Sequence, residues 1–173
     1  MQEVLFVSGQ AASGKSQFSS VLAERHKAEK FDLDDTLSQT IEENKELLDR
    51  IGMEQFLSEV SSQRYENLLN RAIAAFFQGK SVLIEGPFSR HISDVALWER
   101  TVAPFLEKGV VPQLYWVHVP QNVRRARLSA RSSERDREKL NNLDSYFAAN
   151  PTIAPVVAHI PIDGTADFTS LDL

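Results

Sequence analysis

The sequence predicts an α/β fold in which a parallel β-sheet is covered by helices on both faces. The first reason is that residues 4–7, 81–84 and 113–119 are mostly apolar without strict alternation, as expected of strands buried on both faces. The second is that helix-like segments separate these runs, and strands that alternate with helices join through right-handed crossovers into a parallel sheet. A chain of 173 residues also has the size of a single domain spanning residues 1–173.

The boundaries of the elements follow from the apolar runs and from helix start and stop signals. Gly79 and Gly109 each follow a helix-like segment, and glycine commonly ends a helix because it adopts left-handed φ angles readily. Ser93 is expected to cap the N-terminus of one helix, and Pro151 ends another. The predicted strands are 4–7, 28–33, 81–84, 113–119 and 156–162. The predicted helices are 16–26, 38–52, 53–78, 93–108 and most of 121–150.

Composition places the chain among ordinary globular proteins. Apolar residues make up 42% and charged residues 25%, which excludes disordered, collagen-like and coiled-coil chains. The absence of cysteine excludes disulfides, thiolate zinc sites and cysteine nucleophiles. No apolar run approaches the ~20 residues of a membrane span, and the first residues lack a signal-peptide pattern, so we expect a cytoplasmic protein with no membrane partner. A net charge of −5 argues against a protein that coats nucleic acid.

A phosphate-binding motif, G-x-x-x-x-G-K-S, lies between the first predicted strand and the first predicted helix, which is the context it requires. Its two glycines let backbone N–H groups turn inward around phosphates, and the small residues between them leave room for the anion. Lys15 would place its charge against the β- and γ-phosphates, and the Ser16 hydroxyl would ligate magnesium. The predicted nucleotide-binding residues of this loop are Gly9, Gln10, Ala11, Ala12, Ser13, Gly14, Lys15 and Ser16.

Three classes of nucleotide-binding protein carry such a motif. A GTPase needs an N-K-x-D element after a strand, but the one Asn-Lys pair, at residues 44–45, lies in a predicted helix and lacks the aspartate. A ring-forming remodelling ATPase normally carries a second helical domain, for which 173 residues leave little room. A small kinase needs a carboxylate near the γ-phosphate and an arginine-rich lid. The chain has candidates for both, so a kinase is favoured.

Three aspartates, Asp32, Asp34 and Asp35, lie where the second predicted strand ends. Ligands of open α/β sheets bind at the carboxyl ends of strands, so a carboxylate here can accept a proton from a substrate hydroxyl or hold magnesium. We expect Asp34 to be catalytic or to bind the metal, and Asp32 to contact the substrate. The alternative for this stretch is helix capping, with Asp34 or Asp35 as the N-cap of a helix that begins near Leu37.

A third carboxylate follows the apolar run 81–84. Glu85 has Walker-B character, in which a buried strand brings an acid beside the phosphate loop, and we expect it to ligate magnesium. The alternative is an acid that begins a turn at residues 86–87. Further along the same loop, Arg90 is predicted to bind a phosphate or carboxylate of the substrate, whereas His91 is more often a plain surface residue.

An arginine-rich segment, the predicted lid, follows the fourth predicted strand at about residues 124–139. It holds seven of the chain's 19 basic residues, whereas the rest of the chain is acidic. Four of its arginines recur at spacings of three, four and four, so they would share one face of a continuous helix, where they would neutralise charge that develops in phosphoryl transfer. They are Arg124, Arg127, Arg131 and Arg135. Arg131 is the predicted catalytic arginine, and Arg131 and Arg135 are predicted to bind the nucleotide.

Together these elements resemble the small phosphate-loop kinases, and in particular the branch of the zeta toxins, chloramphenicol phosphotransferase and the polynucleotide kinases. The stretches that carry the resemblance are GQAASGKS, FDLDD, VLIEGPFSR and VHVPQNVRRARLSARSSERD, and it extends from residue 1 to about 137. The resemblance implies a three-layer P-loop NTPase sandwich whose five-stranded parallel sheet has the order 2-3-1-4-5. It also implies transfer of the ATP γ-phosphate to a hydroxyl, with ATP and Mg²⁺ as cofactors.

The resemblance implies roles for single residues as well. Lys15 and Ser16 would handle ATP and magnesium. Asp34 would be the base that activates the acceptor hydroxyl, and Arg131 would be the lid arginine. Polynucleotide kinases resemble D-D-x-R after the second strand, where the arginine holds a phosphate of the acceptor, and this chain has Leu37 in that place. A nucleic-acid 5′ end is therefore not the expected acceptor.

These observations predict an ATP- and Mg²⁺-dependent phosphotransferase, a kinase that acts on a hydroxyl of a small molecule or of a nucleoside or nucleotide. The alternative is a regulatory P-loop ATPase that binds a nucleotide and acts through a protein partner. The residues leave open which acceptor is used, whether ATP or GTP is the donor, and whether Asp34 or Glu85 is the main metal ligand.

Overall fold

A computed structural model describes residues 1–131 and 142–171 of the chain. Within these residues the centre of the fold is a sheet of five parallel strands in the order β2-β3-β1-β4-β5. The strands are β1 (Val4–Ser8), β2 (Glu29–Asp32), β3 (Val82–Glu85), β4 (Gln113–His118) and β5 (Ile160–Asp163). Helices pack on both faces of the sheet. The predicted α/β fold class and the predicted strand order are both confirmed.

In the described residues, helices lie between successive strands, as parallel pairing of those strands requires. They are α1 (Lys15–His26), α2 (Leu37–Glu43), α3 (Lys45–Phe77), α4 (Ser89–Ile92), α5 (Val95–Leu106), α6 (Gln121–Arg131) and α7 (Leu143–Ala149), with 3₁₀ turns at Leu33–Thr36 and Phe168–Ser170. None of them is long and apolar enough to cross a membrane. α3 is interrupted at Gly52, whose φ of 78° and ψ of 165° are not helical. The predicted boundary between helices at residues 52 and 53 coincides with this interruption.

β1 is buried on both faces, as its continuously apolar sequence predicts. On one face Phe6 packs against the rings of Phe88 and Phe105, with centroids 5.5 and 6.2 Å away. On the other face Leu5 belongs to a cluster with Phe18 of α1. Burying a side chain of this size stabilises the fold by about 1.5–3 kcal/mol. The core therefore fixes the position of β1 and, with it, the start of the phosphate loop.

The parallel register brings the carboxyl ends of three strands to one edge of the sheet. Asp32 at the end of β2 lies opposite Glu85 at the end of β3. Glu85 in turn lies opposite Val7 of β1, shortly before the phosphate loop. Neighbouring strands are about 4.8 Å apart, so these residues are close neighbours. The predicted loop and two of the predicted carboxylates therefore meet where ligands of open α/β sheets bind.

Two predicted boundaries are wrong. The N-cap of α5 is Asp94 rather than Ser93, and its carboxylate accepts a hydrogen bond from the Leu97 N–H at 3.0 Å. An ionised carboxylate is a stronger acceptor than a hydroxyl and also interacts favourably with the helix dipole. The fifth strand begins at Ile160 rather than Val156, because the Val156 N–H donates to the Ile92 carbonyl instead of to the sheet.

Candidate active site

The phosphate loop joins the end of β1 to the start of α1. A Cβ at Gly9 would lie 2.5 Å from the Val117 carbonyl oxygen, so only glycine fits this close approach. Gly14 has a φ of 99° and is the N-cap of α1, where it cannot supply a side-chain cap. Gly14 therefore leaves the N–H groups of the first turn of α1 without a side-chain hydrogen bond from the N-cap. These N–H groups and the helix dipole favour an anion at this end of α1.

Beside the loop, Ser16 and Glu85 form a hydrogen-bonded pair. The Ser16 hydroxyl donates to Glu85 Oε1 at 2.6 Å. Glu85 is 1% exposed, and its other oxygen, Oε2, lies 2.7 Å from the Nζ of Lys30. Two of the three residues predicted to ligate magnesium are thus in contact. Lys30 was missed at the sequence level, since a single lysine in a short strand belongs to no motif.

Asp32 ends β2 and caps the 3₁₀ turn Leu33–Thr36. Its Oδ1 accepts a hydrogen bond from the Asp34 N–H at 2.9 Å. The N-cap of α2, the helix that begins at Leu37, is Thr36, without a side-chain hydrogen bond, so neither Asp34 nor Asp35 is its N-cap. Burial raises the pKa of Asp32, and the carboxylate of Glu85 contributes to the rise. A carboxylate that accepts a hydrogen bond from the backbone in this way holds the turn Leu33–Thr36 at the end of β2.

Asp34 lies in the same 3₁₀ turn, with its side chain 53% exposed. Its Oδ1 is 3.8 Å from Nη2 of Arg64, a buried residue of α3. The same Nη2 donates to the Leu33 carbonyl at 2.8 Å. Arg64 therefore anchors the turn that carries Asp34, through a charge-assisted hydrogen bond to its backbone. Arg64 was also missed, because its contacts with the turn span about 30 residues of sequence.

The phosphate loop and the carboxylates open into one cleft of about 1130 Å³. This volume exceeds the ~300–1,000 Å³ typical of ligand pockets, so the cleft has room for a nucleotide and a second substrate. Its loop side comprises residues 11–17, and α7 contributes Tyr146. The side formed by α2, α3 and the 3₁₀ turn contributes Asp32, Asp34, Leu37, Met53, Leu57 and Arg64.

A second set of contacts holds the phosphate loop from α6. The Nη1 of Arg127 donates to the carbonyls of Ala12 and Ser13 at 3.3 and 3.2 Å. Its Nη2 donates to the Gly164 carbonyl at 2.9 Å. Because Ala12 has a left-handed φ of 63°, which costs a non-glycine residue about 1–2 kcal/mol, the loop needs such external support.

Gly164 follows β5 and touches the phosphate loop directly. A Cβ at this position would lie 2.0 Å from the Ser13 carbonyl oxygen and 2.8 Å from Cγ1 of Val119. The Gly164 N–H donates to the His118 carbonyl at 2.8 Å, which extends the β4–β5 pairing by one residue. No local sequence pattern predicts that glycine is needed here. The need arises because the pairing of β5 with β4 brings residue 164 against the Ser13 carbonyl.

Arg124 is a buried residue of α6 that contacts both α7 and the phosphate loop. Its guanidinium is 4.9 Å from the ring of Phe147 and donates to the Ala11 carbonyl and to the Thr152 hydroxyl, at 3.3 and 3.0 Å. The side chain is 1% exposed, and burial lowers the pKa of Arg124. Arg124 therefore supports the loop from its outer side, and its charge is already shared among several partners.

The predicted lid is described as far as residue 131. α6 is helical, as predicted, and Arg124 and Arg127 both reach the phosphate loop from it. Arg131 is the last residue of α6, but its side chain lies outside the described residues, and so does the whole of Arg135. The catalytic and nucleotide-binding roles of Arg131 and Arg135 stay predictions.

Arg90 and His91 lie in α4, the short helix that follows β3. Arg90 is exposed and is not among the described residues that line the cleft. The contact of Arg90 with a substrate stays a prediction. His91 packs 4.7 Å from the ring of Tyr65, and burial lowers its pKa, which favours a neutral imidazole inside the fold.

The loop after Glu85 is held in place by Tyr65 of α3. Phe88 adopts a left-handed φ of 48°, a strained conformation for a residue with a large side chain. Its N–H donates to the Tyr65 hydroxyl at 3.0 Å. Burial raises the pKa of Tyr65 to about 12, so the phenol is neutral at any ordinary pH. The loop that forms one edge of the cleft therefore depends on this hydrogen bond.

We expect Tyr65→Phe to lower the free energy of unfolding by about 1–3 kcal/mol, because the Phe88 N–H loses its partner inside the protein. Urea denaturation would measure the loss. Tyr115→Phe is the control, since the Tyr115 hydroxyl contacts the exposed side chain of Gln113, which water can satisfy instead. Equal losses in the two variants would contradict a specific role for the Tyr65 hydroxyl.

Solved structures with the same fold include the following three proteins. A candidate kinase from Chloroflexus aurantiacus J-10-fl has a TM-score of 0.68 at 16% identity, covering 99% of this chain and 92% of that one. A sugar kinase from Janibacter sp. HTCC2649 has a TM-score of 0.63 at 17% identity, covering 97% and 88%. A protein of the PezAT chromosomal toxin–antitoxin system of Streptococcus pneumoniae has a TM-score of 0.60 at 18% identity, covering 86% and 58%.

At these identities the likeness concerns the fold, which is that of the P-loop NTPase kinases. The closer resemblance to the branch of zeta toxins, chloramphenicol phosphotransferase and polynucleotide kinases stays a prediction. No curated protein matches the chain. A family model described as an AAA domain, AAA_33, matches residues 4–149, a range that contains β1 to β4, the phosphate loop and the carboxylates of the cleft. Because the match spans most of the 173 residues, the chain belongs to the AAA_33 family of AAA domains.

Proposed function

We propose that the protein is an ATP- and Mg²⁺-dependent phosphotransferase, which transfers the γ-phosphate to a hydroxyl of a small molecule or of a nucleoside or nucleotide. The observation that carries the proposal is that one cleft joins the phosphate loop to the carboxylates Asp32 and Asp34. A phosphate donor bound at the loop and a hydroxyl held near Asp34 would share this cleft. The kinases among the proteins of the same fold are consistent with the proposal.

The donor half of the cleft suits the phosphates of a nucleotide. Lys15 and Ser16 begin α1 and line the cleft, together with the small residues that precede them. The positive end of the helix dipole and the Lys15 ammonium would both attract the β- and γ-phosphates. The predicted lid arginine, Arg131, would neutralise the charge that builds up on the transferring group.

The oxygen groups beside the loop fit a magnesium ion. Magnesium prefers oxygen ligands and is commonly held by one or two protein groups together with substrate phosphates and water. Ser16 and Glu85 would hold it, since a hydroxyl and a buried carboxylate are already in contact at the end of the loop. When bound, the ion would neutralise charge on the β- and γ-phosphates.

Asp34 is the residue we assign as general base. It would accept the proton of the acceptor hydroxyl as that oxygen attacks the γ-phosphorus. Its side chain is the more exposed of the two aspartates in the cleft, 53% against 18% for Asp32. Arg64 would keep Asp34 in position through the Leu33 carbonyl, and Asp32 would be left to hold the turn and contact the substrate.

The acceptor half of the cleft has a mixed lining. Leu37 of α2 and Met53 and Leu57 of α3 give it an apolar wall, while Asp34 and Arg64 supply the charges. An acceptor with an apolar portion and at least one hydroxyl suits such a surface. The interruption of α3 at Gly52 lies directly before Met53, one of the residues of this wall.

The test is a screen of nucleotide consumption by the purified protein with panels of hydroxyl-bearing metabolites, aminoglycosides, nucleosides, nucleotides and oligonucleotides. Running it with ATP and with GTP identifies the donor, and the Lys15→Ala protein provides the background. We expect consumption of ATP that depends on one class of acceptor, with the phosphorylated product visible by mass spectrometry. Hydrolysis that no acceptor stimulates would overturn the kinase proposal and favour the regulatory ATPase with a protein partner.

A further inference from the structure

Lys30 is an unexpected charge in the candidate metal site. It lies two residues before Asp32 in β2, so both side chains are on the same face of the sheet. Its Nζ is 2.7 Å from Glu85 Oε2 and 3.8 Å from Asp32 Oδ2. One ammonium group therefore contacts both carboxylates at the ends of β2 and β3.

The two carboxylates need a cation. Asp32 and Glu85 occupy matched positions on neighbouring parallel strands, and Glu85 is 1% exposed. Two carboxylates at paired positions of neighbouring strands repel each other. Burying a carboxylate without a partner of opposite charge destabilises the fold by several kcal/mol. Ser16 donates one hydrogen bond to Glu85 Oε1 but supplies no net charge. Lys30 is thus the group that compensates the negative charge of the pair in the structure described.

A divalent cation would need the same oxygens. The proposed magnesium ligand Glu85 has one oxygen bonded to Ser16 and the other in contact with Lys30. An ion that approaches Glu85 would meet the Lys30 ammonium at Oε2, and two cations at that distance repel each other strongly in a partly buried site. The Lys30 side chain is 28% exposed, so it has a route to solvent when it is displaced.

We propose that Lys30 and the divalent cation are alternative counter-ions of Glu85. Lys30 holds the carboxylate against Ser16 while the metal is absent and releases Oε2 when the metal binds. The inference rests on the proposed function for the identity of the metal site, and it adds a residue that sets how tightly that site binds its ion. Lys30 is then a positioning residue that limits occupation of the site by free metal ions.

The test is Lys30→Met, with Mn²⁺ as the probe, because its binding is measured by electron paramagnetic resonance without turnover. Removing the competing charge is expected to tighten Mn²⁺ binding by about tenfold or more. Lys30→Arg keeps the charge and should bind Mn²⁺ like the wild type. Lys80→Met is the matched control, since Lys80 pairs with Glu29 at 2.6 Å on an exposed part of β2. It removes the same charge and should leave Mn²⁺ affinity unchanged.

Thermal unfolding separates this role from a merely structural one. Without metal, Lys30→Met should melt at a lower temperature than the wild type, because Glu85 loses its counter-ion. Mn²⁺ should raise the melting temperature of Lys30→Met more than that of the wild type. Equal or weaker Mn²⁺ binding by Lys30→Met, or no Mn²⁺ binding by any of the proteins, overturns the proposal. Failure to find an acceptor would count against the kinase proposal and leave this result unaffected.

Discussion

Asp34→Asn is expected to lower kcat for acceptor phosphorylation by about 10²–10⁴-fold, the range found when a general base is removed. Asparagine has nearly the same size, but it cannot take the proton of the attacking hydroxyl. The affinity for ATP should stay within about twofold, because the phosphates contact the loop rather than the 3₁₀ turn. Turnover is measured with the acceptor that the screen identifies, and ATP affinity by calorimetric titration.

Asp35→Asn is the matched control for this variant. It removes the same charge from the next residue, which is exposed and is not among the described residues that line the cleft. We expect its kcat to equal that of the wild type. A fully active Asp34→Asn protein would contradict the assignment of the base. Equal losses in the two variants would show that the net charge of the turn matters rather than a proton acceptor at residue 34.

Gly164→Ala is expected to destabilise the protein by about 1–3 kcal/mol or more, as overpacking does in a rigid region. The added Cβ would lie 2.0 Å from the Ser13 carbonyl oxygen, and that oxygen moves only if the phosphate loop moves with it. Nucleotide affinity should therefore fall at least about tenfold, which corresponds to about 1.4 kcal/mol. Denaturant unfolding and titration with ATP measure the two effects separately.

Gly109→Ala separates the clash from the general effect of replacing a glycine. Gly109 has a φ of 76°, and a Cβ there would meet nothing within 4 Å. Its replacement should cost about 1–2 kcal/mol through backbone strain alone and leave ATP affinity unchanged. Wild-type ATP affinity in Gly164→Ala would show that the loop tolerates the shift, contrary to the expected coupling.

Local features of the site could be predicted from sequence because their cause is local. The eight residues of the phosphate loop carry the glycines that the turn needs, and the central strands β1 and β3 are buried and mostly apolar. The positions of Asp32 and Glu85 at one edge followed from the rule that parallel strands present their carboxyl ends together. The strand order came from the resemblance rather than from any single residue.

Other features could not be predicted because they depend on distant parts of the chain. Lys30 contacts Glu85 only because β2 pairs with β3. Arg64 reaches the Leu33 carbonyl only because α3 packs against the 3₁₀ turn. Arg90 was predicted to contact the substrate from its position after Glu85; it is exposed and is not among the described residues that line the cleft, and its role stays a prediction. The 3₁₀ turn Leu33–Thr36 between β2 and α2 was not predicted, and it makes Thr36 rather than Asp34 or Asp35 the N-cap of α2, a difference of one or two residues that propensity does not resolve.

The hydrogen bonds of Arg127 to Ser13 and Gly164 join parts of the chain that are synthesised at different times. The phosphate loop is synthesised before its supports, since its Ser13 carbonyl accepts a hydrogen bond from an arginine 114 residues later in the chain, and that arginine donates to the carbonyl of a glycine 37 residues later still. Translation adds about 5–20 residues per second, so the loop waits many seconds for its supports. We therefore expect the phosphate loop of a nascent chain to gain its full set of supporting hydrogen bonds only after β5 and Gly164 have been made.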